Sequence, residues 1–353
     1  MSVDRRLLEL LDLVISQGGS DLHVFAGGPP MIRIAGALLP VSRREALKPD
    51  DTEEMLKSIV PPERWNSFLE NQTIDLSYAH GAEDRFRING YRVQGGAALA
   101  FRLIPRTISS FTELNLPSIL EVFTQREQGF FLLVGPVGQG KSTTLATMID
   151  RINETRSEHI LTIEDPVEYL FTPKKSLIHQ REVHIDTPDF HSALQSAFRE
   201  DVDVIMVGEM RDYETISAAV TAAETGHLVF STLHTNTAAQ TIDRIIDMFP
   251  AEQQAQVRVQ LAGSLAGIFS QRLVPRISGG LIPAYELLIN NSAVSTLIRD
   301  SRTHEIDTII QTSSQEGMID MDRSLAELVR RGEVTVEHAY DYANDTKTFE
   351  HYL

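Results

Sequence analysis

The apolar run Phe130-Phe-Leu-Leu-Val134 passes directly into Gly135-Pro-Val-Gly-Gln-Gly-Lys-Ser142, and Ser142 opens a helix-like segment reaching about Asn153. A buried strand, a loop of the form G-x-x-x-x-G-K-[ST] and a helix in immediate succession constrain the fold more than any other feature of the chain. The glycines let backbone N–H groups wrap an anion, and the helix N-terminus adds a field that favours negative charge. The spacing therefore predicts a nucleotide-phosphate loop made of Gly135, Pro136, Val137, Gly138, Gln139, Gly140, Lys141, Ser142 and Thr143. Lys141 would reach the β- and γ-phosphates of ATP, and Ser142 would hold Mg²⁺.

Three further apolar runs follow, Ile160–Ile163, Val204–Val207 and Leu228–Ser231, alternating with helical segments. Near-continuous apolar strands between helices predict a parallel sheet covered on both faces. In such sheets ligands bind beyond the carboxyl ends of the strands. Each run here ends in chemically useful residues: Glu164-Asp-Pro-Val-Glu168, Gly208-Glu209-Met-Arg-Asp212 and Thr232-Leu-His234. Glu209 is expected to orient or activate the attacking water. Gly208 stands where many P-loop ATPases carry aspartate, so Glu164 or Asp165 would supply the second acid. His227 and His234 flank the fourth run, and an imidazole facing the γ-phosphate can report its loss. The expected catalytic set is Glu209, Glu164, His234, His227 and Lys141. No histidine–carboxylate spacing suggests another metal site, which leaves Mg²⁺ on phosphate and Ser142, with Glu164 and Glu209 reaching it through water.

Before the loop, short alternating runs (Asp21–Phe25, Met31–Ile34, Phe86–Ile88, Ala98–Ile104) and a helical stretch from Pro49 to Glu70 predict a small α+β domain with a mostly antiparallel sheet. An amphipathic helix ended by Gly18–Gly19 opens the chain. The domain boundaries expected are 1–105, a linker at 106–117, an ATPase core at 118–282 and a helical region at 283–353. Cysteine is absent, which rules out disulfides and thiolate metal sites. A formal net charge of −17 argues against a phosphate-backbone partner, so no nucleic acid is expected. No apolar run approaches bilayer length, so no transmembrane segment is expected and the chain reads as cytoplasmic.

Four segments, GPVGQGKSTT, TIEDPVEYLF, DVIMVGEMRD and TAAETGHLVFSTLHTNTA, resemble in order the Walker A, Asp, atypical Walker B and His boxes of the type II/IV secretion ATPases. The family's Walker B box also carries Gly-Glu. GGSDLHVFAGGPPMIRIAG and FRLIP upstream, and QRLVPR, AYELLI and GMIDMDRSLAEL downstream, extend the resemblance over nearly the whole chain. Ala293-Val-Ser-Thr-Leu-Ile-Arg-Asp300 is similar to the AIRNLIRE motif of the pilus-retraction branch, and its spacing also reads as an amphipathic helix burying Ala293, Val294, Leu297 and Ile298. The extension ATPases usually carry a four-cysteine zinc site, which is missing here.

The resemblance implies a RecA-like P-loop ATPase domain, a smaller PAS-like N-terminal domain and a helical C-terminal appendage. It also implies a homohexamer with ATP between the two domains, completed by N-terminal arginines, for which Arg87, Arg92 and Arg102 are candidates and Arg85 an alternative. Hydrolysis would drive domain closure about the linker. The closure would act on an inner-membrane pilus platform protein and indirectly on pilin, powering retraction and twitching motility from the cytoplasmic side. Val137, Gln139 and Val202 depart from the family pattern, and Gln94 stands where the family often has arginine. The alternatives are an auxiliary or alternative-pilus ATPase of the same family, a nucleotide-gated scaffold or a nucleic-acid translocase.

Overall fold

A computed structural model describes residues 3–34, 36–42, 44–81, 84–105 and 107–353. The chain divides into two compact units, Met1–Thr107 with Pro166–Leu170, and Ile108–Asp165 with Phe171–Leu353. Arg106, where the linker was expected to begin, lies outside the described residues. The division falls between Thr107 and Ile108. Most of the expected linker therefore belongs to the second unit, where Phe111 and Leu116 are buried and Thr147 Oγ1 donates to the Ser109 carbonyl at 2.9 Å.

The first unit runs α1 (Arg5–Ser16), β1 (Gly19–Phe25), β2 (Met31–Ile34), β3 (Ala37–Pro40), α2 (Pro49–Ile59), α3 (Pro62–Asn71), β4 (Thr73–His80), β5 (Asp84–Val93) and β6 (Gly96–Leu103). Asp4 caps α1 by accepting from Arg6 N at 2.8 Å. Leu7, Leu10, Leu11 and Val14, spaced for one helix face, are buried in the core. The helix expected over Pro49–Glu70 is two helices. Pro61 and Pro62 withhold consecutive N–H donors, and Val60, ahead of a proline, is extended at ψ 125. All six strands pair antiparallel in the order β3-β2-β1-β6-β5-β4. One sheet face packs Leu22, Val24, Phe86, Ile88, Leu99 and Phe101 with the helices. β5 and β6 are joined by the two-residue turn Gln94–Gly95, both at positive φ (48 and 80), the geometry of a type I′ hairpin.

The second unit runs α4 (Leu120–Thr124), β7 (Gly129–Val134), α5 (Lys141–Thr155), β8 (His159–Glu164), β9 (Leu177–Glu182), α6 (Phe190–Ala197), β10 (Val204–Val207), α7 (Tyr213–Glu224), β11 (Leu228–Leu233), α8 (Ala238–Asp247), α9 (Ala251–Ser264), β12 (Leu265–Pro275) and β13 (Leu281–Ile289). Five further helices end it: α10 (Ser292–Arg299), α11 (Ile306–Thr312), α12 (Met321–Arg330), α13 (Val336–Tyr342) and α14 (Thr346–Tyr352). Its sheet has the order β13-β12-β7-β11-β10-β8-β9, parallel except for β13. β7, β10 and β11 are buried at every position, as strands covered on both faces must be.

Two expectations need correction here. The boundary at residue 282 falls inside β13, which pairs with β12 over nine residues from Gly267↔Ile289 to Pro275↔Leu281, so the helical region starts only after Ile289. In α10, Val294, Leu297 and Ile298 are buried but Ala293 is exposed, because at about 100° per residue it lies at the edge of the buried stripe, about 140° from Ile298. Helices α12–α14 close a small core of their own with Val274, Ile282 and Ala284 of the β12–β13 pair, around Met321, Leu325 and Phe349.

Candidate nucleotide site

Strand order decides which side chains can meet. β7, which carries the glycine loop at its end, lies between β12 and β11, with β10 and then β8 beyond. Neighbouring strands are about 4.8 Å apart. His234, just past β11, is thus one strand from the loop, Glu209 past β10 two, and Glu164 at the end of β8 three.

The side chains follow that order. The Lys141 ammonium donates to the Gly135 and Pro136 carbonyls at 2.7 and 2.8 Å and meets His234 Nδ1 at 3.2 Å. His234 Nε2 meets Glu209 Oε2 at 3.1 Å, and Glu209 also pairs with Arg211. An ammonium can only donate, so Nδ1 accepts and the proton of a neutral imidazole sits on Nε2, pointing at the carboxylate. A single relay therefore joins the loop lysine, the histidine and the acid. Hydroxyls stiffen its support: Ser231 Oγ donates to the Val207 carbonyl at 2.8 Å and Thr232 Oγ1 to the Gly208 carbonyl at 2.7 Å, locking the end of β11 to that of β10.

Glu164 is buried, and its Oε1 accepts from Thr162 Oγ1 at 2.7 Å and from Gln180 Nε2 at 3.2 Å. A Cβ on Gly208 would lie 3.9 Å from Glu164 Cγ, so the acid of β8 occupies the neighbourhood of the missing second acid on β10. Asp165 is exposed. His227 stands elsewhere. It precedes β11, at the opposite end of that strand from His234, about 20 Å away along six residues of strand. Its Nδ1 lies 3.0 Å from the Ala222 carbonyl and its ring packs edge-on to Phe198. The chain does not bring His227 to the loop.

The loop is supported by β12, whose QRLVPR segment carried the resemblance but was given no role at the site. Gln271 of β12 is buried; its Nε2 donates to the Gln139 carbonyl at 2.7 Å and its Oε1 accepts from Thr144 Oγ1 at 2.8 Å. The Gln139 side chain answers by accepting from Leu273 N at 2.6 Å. β12 approaches so closely that a Cβ at Gly135, whose φ is 140, would lie 2.4 Å from the Gln271 carbonyl oxygen. Gly135 is therefore required by its neighbour strand as well as by any phosphate. Gly138, by contrast, faces open space. Open glycine backbone, an ammonium resting on the loop's own carbonyls and the start of the fifteen-residue α5 make a cradle that fits a phosphate chain.

Residues 69–280 match the protein family described as Type II/IV secretion system protein. The chain belongs to this family. It is 44% identical over 346 residues to the type IV pilus retraction ATPase PilT of Pseudomonas aeruginosa, covering 97% of this chain and 99% of that one. It is 37% identical to the type IV pilus ATPase PilU of the same organism, covering 96% and 90%. A crystal structure of the pilus retraction motor PilT with bound ADP superposes with a TM-score of 0.90 at 45% identity, covering 98% and 99%. The protein is thus a nucleotide-using ATPase of the PilT-like branch, with the mixed α/β, RecA-like architecture expected of it.

The three candidate arginines separate by sheet face. Asp21, Arg102 and Arg87 lie directly opposite one another on β1, β6 and β5, on the face away from the helices. Arg102 Nε donates to Asp21 Oδ1 at 2.9 Å, and Arg87 stands 3.9 Å from Glu168. Arg92 is on the other face, paired with Glu53 of α2 and stacked over Phe68 at 5.1 Å. Arg85 donates to Ser77 Oγ at 2.6 Å. Arg211 and Gln271 were the functional residues that sequence reasoning missed. Arg211 lies two residues past Glu209 within a quoted motif, and Gln271 opens the quoted QRLVPR segment, where a polar residue next to an apolar run was the signal.

Proposed function

We propose that this chain is the ATP-hydrolysing motor of type IV pilus retraction, working as a homohexamer on an inner-membrane platform protein and through it on pilin. The reading is carried by the unbroken relay Lys141–His234–Glu209 at the carboxyl edge of the sheet. Lys141 would exchange the Gly135 and Pro136 carbonyls for β- and γ-phosphate oxygens, a charge-assisted replacement of two neutral acceptors. Glu209 would orient the attacking water and accept its proton. His234, bonded on one side to the lysine and on the other to the acid, would sense whether the γ-phosphate is present. Ser142 would hold Mg²⁺, with Glu164 and Glu209 reaching it through water; the ion supplies neutralisation of phosphate charge. Arg87 and Arg102 are the arginines proposed to meet phosphate, since their side chains stay 43% and 72% exposed, whereas Arg92 is 25% exposed and packed between Glu53 and Phe68.

No helix among the described residues is long and apolar enough to cross a membrane. A cytoplasmic protein held at the inner membrane by its partners accords with that. The test pairs steady-state ATPase assays with rescue of a deletion strain scored for retraction of labelled pili. Lys141→Ala and Glu209→Gln should each lower turnover by about 100-fold or more and fail to rescue. Wild-type turnover by either variant would end the site assignment, and rescue of ATPase without retraction would move the chain to an auxiliary role.

A further inference from the structure

Four residues after His234 the chain enters α8, and both polar ends of that short connection are gripped by one cross-strand pair. Ser270 of β12 and Glu286 of β13 are directly opposite in register, and both are buried. Ser270 Oγ donates to the Asn236 carbonyl at 2.7 Å, while Glu286 Oε1 accepts from Ala238 N at 2.8 Å, the first amide of α8. Thr237 caps the same helix by accepting from Gln240 N at 3.3 Å. The connection is thus held from outside at two backbone atoms, one a donor and one an acceptor, by side chains from strands that carry none of the four family boxes.

We propose that Glu286, with Ser270, is a positioning residue for His234: it fixes the 235–238 connection and thereby the imidazole between Lys141 and Glu209. A buried carboxylate is an expensive way to hold one amide, since a serine or asparagine would do so at lower desolvation cost. Its charge suits the positive end of α8. The groups facing it are Arg272 of β12, which favours the anion, and Asp307 of α11 and Asp320 before α12, which oppose it. Burial is the dominant influence and raises its pKa to about 7. The clamp would therefore be held in part by a carboxyl that takes up a proton near neutrality.

The inference rests on His234 serving the ATPase site, so the experiment includes His234→Ala. In the full-length protein, Glu286→Ala, Glu286→Gln and Ser270→Ala would be compared by hydrogen exchange of the peptide spanning 234–240 and by steady-state kinetics. Glu286→Ala should speed exchange in that peptide and lower kcat by about 10-fold, leaving KM for ATP within about twofold, because the lysine loop is held separately. Glu286→Gln keeps an oxygen acceptor for Ala238 N and should restore both. Ser270→Ala, a small change, should move both in the same direction by about threefold and covers the case in which Glu286→Ala does not fold. Unchanged exchange, or faster exchange at unchanged kcat, overturns the proposal. If His234→Ala itself leaves kcat unchanged, the reading of the site falls first and the positioning role with it.

Discussion

Replacing Gln271 by alanine tests whether β12 is the floor of the nucleotide loop. The wild-type amide bridges the Gln139 carbonyl and the Thr144 hydroxyl, at 2.7 and 2.8 Å, from a position 2% exposed. Deleting it removes two neutral hydrogen bonds worth about 0.5–1.5 kcal/mol each and leaves buried partners short of a bond at about 1–3 kcal/mol. Allowing for relaxation, a net loss of about 2–4 kcal/mol is expected, which for a unit of this size lowers Tm by about 4–16 °C. Because both partners lie in or next to the loop, ADP affinity should fall as well, by about 10-fold. Gln271→Glu is the sharper control. It preserves an acceptor for Thr144 but sets a carboxylate oxygen against the Gln139 carbonyl, so it should be no better than alanine despite being isosteric. Thermal denaturation with and without ADP, together with titration calorimetry, provides both readouts. A Gln271→Ala protein with Tm within about 1 °C of wild type and ADP affinity within twofold would refute the reasoning.

Two other outcomes follow from groups already described. Glu286 is shifted up to about 7 from 4.5, chiefly by burial, so the folded protein binds its proton more tightly than the unfolded chain. The resulting stabilisation is complete below about pH 4.5, is lost as pH rises towards about 7 and is absent above it, about 3 kcal/mol in all. Glu286→Gln should therefore gain on wild type by that amount between pH 5 and pH 8, read by urea denaturation at each pH; parallel pH profiles would contradict the assignment. Arg92→Ala should cost the first unit about 1–2 kcal/mol through loss of the Glu53 pair and the Phe68 contact while leaving turnover near wild type. Arg87→Ala should do the reverse; Arg102→Ala should lower turnover and also destabilise the first unit, because it leaves the buried Asp21 short of a partner, and a turnover loss confined to Arg92→Ala would invert the sorting by face.

Much of the second unit could be read from the chain because its central strands are uniformly apolar and each ends in polar residues. β7, β8, β10 and β11 extend the expected runs by at most two residues at either end. β9, with Leu177 exposed and His179, Gln180 and Arg181 along it, lacks that signature and went unread. β13 reads in sequence as part of a helical region because its apolar run sits beside a genuinely helical stretch, and nothing local says that it pairs with β12. In the site, motif spacing and position past the apolar runs identified Lys141, Glu209 and His234, but their contact depends on β11 and β10 being inserted between β7 and β8, a matter of topology that no run of residues spells out. His227 shows the converse. Flanking a strand is a statement about sequence, and the two flanks are at opposite edges of the sheet. Arg92 was likewise grouped with Arg87 although odd and even positions of β5 face opposite ways.

Consecutive residues of β12 look in different directions. Gln271 reaches the loop, whereas Arg272 holds the Tyr342 carbonyl and Asn344 Oδ1, the latter at 2.5 Å, between α13 and α14. Arg276 further along pairs with Glu333. A pull applied to the last helices would thus be delivered to the backbone that the phosphate cradle leans on, with one peptide bond as the lever arm. Tags, truncations or binding partners at the carboxyl terminus of this protein should consequently register as altered grip on nucleotide, far along the chain from where they are attached.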